Sequence, residues 1–112
     1  MALGIDTLFA KIAIRLNWPF IAAIPCIGQE KIWPNKSKDI YREILANPLC
    51  TRYLVSETGY NNIVMQKRNK WMVDNCDLLI AIWDGTSGGT ANCVKYAQSI
   101  GIDIRIIDPK TL

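Results

Sequence analysis

The stretch Leu78-Leu79-Ile80-Ala81-Ile82-Trp83-Asp84-Gly85-Thr86-Ser87-Gly88-Gly89-Thr90 decides how this chain is read. An apolar run, expected as a strand, leads straight into glycines and hydroxyl residues. A helix is expected to open near Thr90. Strand, glycine loop, helix is the order in which α/β proteins build a phosphate site. The glycines let the backbone approach an anion closely and turn its N–H groups inward. The helix start adds roughly half a positive charge. Ser87 and Thr90 add hydroxyl donors. No Gly-Lys-Ser/Thr follows, so this is not a Walker A loop, and the spacing is not G-x-G-x-x-G. An ordinary strand-to-helix turn has the same composition, so the rest of the chain has to weigh the two.

Working outward, residues 89–99 are expected as a helix ended by Gly101, and 102–107 as a last strand closed by Pro109. Upstream, 61–75 reads as a helix and 52–56 as a strand broken by Gly59. A helix runs from a cap at Ser37 to Ala46, with Pro48 as its stop. The run 20–24, after Pro19, is apolar and β-branched enough for a strand. Residues 6–17 carry helical periodicity, with Asp6 as N-cap and Leu8, Phe9, Ile12 and Leu16 on one face. Strands alternate with helices, which predicts an α/β, Rossmann-like three-layer sandwich with a mostly parallel sheet, in one domain over residues 1–112. Ligands bind such sheets at the carboxyl ends of the strands, where the 84–90 loop falls. Gly4 to Asp6 look like the loop after a strand, so a first strand-helix unit is expected to be missing. Exposed strand edges are then expected to pair in a homo-oligomer.

Half of the 112 residues are hydrophobic, enough for a real core, and the net charge is only +3. That balance does not suggest a strongly nucleic-acid-binding chain. No apolar run nears the ~20 residues of a membrane span, and no signal peptide is apparent. The reading is cytoplasmic. Cys26, Cys50, Cys76 and Cys93 form no C-x-x-C pair and histidine is absent. Reduced thiols are therefore expected, with no metal and no cofactor.

On the 61–75 helix, Val64, Met65, Trp71 and Met72 span an arc of about 120° at 100° per residue. Arg68 lies in its middle. An arginine on an apolar face costs several kcal/mol unless paired. Either it bridges to Asp74, Asp77 or Asp84, or it clamps an anion beside the glycine loop, with Asn69 adding a hydrogen bond. Gln29, Glu30 and Trp33 suit a base or ribose pocket, or simply a surface loop. Asp84 suits a ribose hydroxyl, a general base, or, more simply, a turn and helix cap. Tyr53, Tyr60 and Tyr96 read as packing residues.

Met1 to Asp6, Gly28-Gln29-Glu30 with Trp33-Pro34, Met65 to Asp74, and Gly88-Gly89-Thr90-Ala91-Asn92-Cys93 together resemble the SLOG superfamily, in its YpsA-like (DUF1273) branch. The likeness covers nearly the whole chain. It is more distant to the Lonely Guy phosphoribohydrolases and to the DNA-processing A family. Members of the YpsA-like branch begin with a further strand and helix, so this chain resembles a short member. The resemblance implies a nucleotide or nucleotide-derived ligand, such as ADP-ribose, NAD or a cyclic nucleotide signal, sensed or sequestered in bacterial or phage systems. It implies a site of Gly4, Asp6, Gln29, Trp33, Arg68, Asn69, Asp84, Gly85, Ser87, Gly88, Gly89 and Thr90. The Lonely Guy enzymes cleave nucleoside monophosphates using a Glu whose place here is taken by Cys93, and a thiol does not replace that carboxylate. The reading is thus of a binder rather than an enzyme. The alternatives are N-glycosidic cleavage using Asp84 or Glu30, and an interaction module for single-stranded DNA or protein.

Overall fold

The computed structural model describes residues 4–59 and 61–111. The chain is an α/β protein with a Rossmann-like succession of elements: α1 (Ile5–Arg15), β1 (Phe20–Ile24), α2 (Asn35–Ala46), β2 (Cys50–Leu54), α3 (Asn62–Asp74), β3 (Leu78–Ile82), α4 (Gly89–Ile100) and β4 (Asp103–Ile107), closed by a 3-10 turn at Pro109–Thr111. The chain divides into two compact units, Met1–Val64 and Met65–Leu112.

In the first unit β1 and β2 pair in parallel, with Phe20 opposite Cys50 and Ile24 opposite Leu54, joined through α2. The core holds Ala10 from α1 with Tyr41 and Ile44 from α2, and Phe20, Trp33 and Ile40 pack against them. β2 starts two residues earlier than expected. Asn47 accepts the Leu49 N–H through Oδ1 at 2.9 Å, and the Phe20 N–H reaches the Leu49 carbonyl at 2.9 Å, so pairing begins at once. α2 also starts early, at Asn35. Pro34 at φ −57° precedes it, and Ser37 lies inside the helix rather than capping it. Asp6 sits in the first turn of α1, behind an N-cap at Gly4, and is not itself the cap.

The apolar face expected on α1 is real but unburied. Leu8, Phe9, Ile12 and Leu16 are 47–63% exposed, and the side turned to the core is that of Ala10 and Ala13. Tyr53 is likewise exposed rather than packed. Tyr60 and Met1 to Leu3 lie outside the described residues.

In the second unit β3 and β4 pair in parallel, Leu78 opposite Asp103 and Ile82 opposite Ile107, joined through α4. Val73, Leu79, Ala81, Val94 and Ala97 form the core, with Trp83, Cys93, Tyr96 and Ile104 packed on it. α4 ends as expected at Gly101, left-handed at φ 78°, whose N–H caps the Ala97 and Gln98 carbonyls. The strands make two sheets of two strands, β1–β2 and β3–β4. Each α-helical crossover joins strands that become neighbours, whereas α3 joins strands of different sheets. No helix among the described residues is long and apolar enough to cross a membrane.

Candidate phosphate site at the start of α4

The second unit holds Arg68, Asn69, Asp84, Gly85, Ser87, Gly88, Gly89 and Thr90; the first holds Gly4, Asp6, Gln29, Glu30 and Trp33. Between β3 and α4 the loop is fixed by three short bonds. Asp84 Oδ1 accepts from the Thr86 N–H at 3.1 Å and from the Thr86 hydroxyl at 2.7 Å. The Trp83 indole N–H donates to the Thr86 carbonyl at 2.8 Å. Lys110 Nζ stands 3.4 Å from Asp84 Oδ2. The hydroxyl and N–H of Thr86 hold the Asp84 carboxyl down at about 2, and Lys110 adds to this. A carboxylate so engaged is a loop fastener and a weak base. Thr86 and Lys110 were not expected in this role. A threonine two residues after an aspartate is a turn signal; nothing near Lys110 in the sequence marks it.

The remaining loop is open. Gly88, the N-cap of α4, lies at φ 145°, ψ −163°, a conformation essentially restricted to glycine. A Cβ built at Gly85, Gly88 or Gly89 would meet no atom within 4 Å, so the outer side of this backbone is free space. The first turn of α4 carries no acidic residue and no side-chain cap. The Asn92 N–H to Gly88 carbonyl bond, 3.1 Å, is the first of the helix. The N–H groups of Gly89, Thr90 and Ala91 thus have no carbonyl of the helix to bond. Ser87 and Thr90 are exposed beside them. This is an uncapped, un-neutralised helix start behind an accessible glycine backbone, the geometry that receives an anion.

Arg68 is nearly sealed, at 6% exposure. Its Nε donates to Asn69 Oδ1 at 2.9 Å. Asp74 accepts the Tyr96 hydroxyl at 2.6 Å, and Asp84 holds the loop. The sequence placed Arg68 on the buried face correctly, and Asn69 is among the groups it bonds. On α3 and α4, Gln66, Asn69, Lys70, Asn92, Cys93 and Tyr96 line a recess of about 200 Å³. Gln66 and Asn92 were not singled out by the sequence, since lone amides on polar helix faces carry no pattern.

In the first unit, Gln29 is buried to 7% exposure, and its Oε1 has no hydrogen-bond partner among the described residues. The Trp33 ring packs edge-on against Tyr41, centroids 5.1 Å apart, and lies partly buried against the core of this unit. Burial, and next the nearby Glu30, push the Tyr41 hydroxyl up to about 12. Gly4 opens α1 at φ 81° with open space around it. All four cysteines are free thiols.

The chain is similar to the uncharacterized SPbeta prophage-derived protein YoqJ of Bacillus subtilis strain 168, with 34% identity over 88 residues, 70% of this chain and 52% of that protein. The match therefore spans about half the length of that curated relative. A family profile described as DNA recombination-mediator protein A matches residues 1–111, nearly the whole chain, and this chain belongs to that family.

Proposed function

We propose that this chain binds single-stranded DNA, gripping a backbone phosphate on the loop from Asp84 to Thr90 and the start of α4. The observation that carries the reading is the open glycine backbone in front of an uncapped helix with no acidic first turn. Membership of a DNA recombination-mediator family supports DNA as the source of that phosphate. The modest charge of +3 fits a few phosphate contacts rather than a long electrostatic groove. The test is fluorescence anisotropy of a labelled single-stranded oligonucleotide across a salt series. Affinity is expected to fall with salt, with a slope of about −0.7 per phosphate held. A salt-independent signal, or none, would count against it.

A second reading keeps the same loop for a mononucleotide or a derivative such as ADP-ribose or a cyclic nucleotide. Its support is that the anion site is compact and local. A thermal-shift series with these ligands separates it from the first: stabilisation by a free nucleotide, without oligonucleotide binding, favours the second. Cleavage is disfavoured in either case. Asp84 is committed to Thr86 and held at about 2, and the resemblance to the Lonely Guy enzymes would put Cys93 at the place of their Glu. Placement in the YpsA-like branch, within one domain over residues 1–112, completes the proposal.

The unburied face of α1 supports self-association. Ile5, Leu8, Phe9, Ile12 and Leu16 are each about half exposed. Two pairs of them, Ile5 with Leu16 and Phe9 with Ile12, lie symmetrically about one midpoint, so an antiparallel second copy sets Ile5 on Leu16 and Phe9 on Ile12, as a twofold interface requires.

A further inference from the structure

We infer that the recess between α3 and α4 takes one base of the bound strand, a subsite that rests on the DNA-binding reading above. It is lined by the carboxamides of Gln66, Asn69 and Asn92, with Lys70, Cys93 and the Tyr96 ring. Its volume of about 200 Å³ is below the ~300–1,000 Å³ of sites for drug-sized ligands, and suits a single ring system. Carboxamides pair a donor with an acceptor on one planar group, the pattern that base edges present in return. Two of the lining groups are held in advance. Asn69 Oδ1 accepts from the Arg68 Nε–H at 2.9 Å, which leaves its NH₂ as the group available to a base acceptor. The Tyr96 hydroxyl donates to Asp74 at 2.6 Å, which pins the ring as a wall. Lys70 Nζ lies 5.4 Å from the centre of that ring and brings a positive charge for a flanking phosphate. Asn92 follows Gly89 by three residues, about 5 Å along the helix axis. A nucleotide whose phosphate rests on the loop thus reaches the recess with its own base. Arg68 acts here as a positioning residue, through Asn69.

The test compares an ordinary single-stranded oligonucleotide with one of the same length built from abasic sites, by anisotropy. The intact protein is expected to bind the abasic strand about tenfold more weakly, the order of one base contact. Asn92→Ala, and independently Gln66→Ala, both at exposed positions, are expected to weaken the ordinary strand toward that level and leave the abasic affinity unchanged. Gly88→Ala is expected to weaken both strands alike. Equal binding of the two strands by the intact protein would overturn the base subsite while leaving the phosphate site standing. So would an equal loss on both strands in Asn92→Ala, or no loss on either. Failure to bind either strand would overturn both.

Discussion

Gly88 is the residue on which the proposed grip turns. At φ 145° it holds a backbone that other residues adopt only at a cost of about 1–3 kcal/mol. The space around it is open, so the cost of Gly88→Ala is conformational and not a clash. The expected outcome is a folded protein with a distorted loop and roughly tenfold weaker oligonucleotide binding; an unchanged affinity would remove the loop from the site. Tyr41 sets a pH limit. Its folded value, about 12, lies above the ~10 of an unfolded tyrosine. The stabilisation is therefore complete below about pH 10 and is lost as pH rises toward 12. Melting followed by circular dichroism at pH 9 and 11 is expected to show this loss, and Tyr41→Phe to reduce it. Were the alkaline loss the same in Tyr41→Phe, Tyr41 would not be its source. At this scale the site was only partly legible. The glycines and hydroxyls of the loop could be read because their chemistry is local. The fastening of Asp84 by Lys110 could not, because it joins residues 26 apart with no pattern between them.

At the scale of elements, periodicity and punctuation carried the reading. β1 falls on the expected residues, and α4 stops at its glycine. Where bounds moved, a specific bond moved them, as Asn47 did for β2. The α1 face shows what periodicity omits: it tells which side chains share a face, not whether a partner covers it. Leu79 connects β3 to Val73 of α3 and Val94 of α4 and so supports the platform of the loop. Leu79→Ala is expected to cost about 2–5 kcal/mol. In a chain of this size that lowers the melting point by well over 5 °C. A shift within a degree would mean that Leu79 does not bear on this core.

For the whole molecule, the exposed α1 stripe bears on assembly. Light scattering at micromolar protein is expected to give a mass near twice the 12.6 kDa of the chain. Phe9→Glu with Ile12→Glu is expected to return it to the monomer; a monomeric mass for the unaltered chain would dismiss the stripe as an interface. The α/β architecture was legible because alternation of strand and helix is a property of the whole chain. The division into two sheets of two strands was not, since pairing between distant strands leaves no mark on local pattern. The central claim is that the loop opening α4 holds the phosphate of a single strand. It is met most directly by oligonucleotide anisotropy of the unaltered and Gly88→Ala proteins across a salt series. Binding that weakens with salt, and a smaller salt slope in Gly88→Ala, is the result expected. Binding by both proteins with the same affinity and the same salt slope would contradict it.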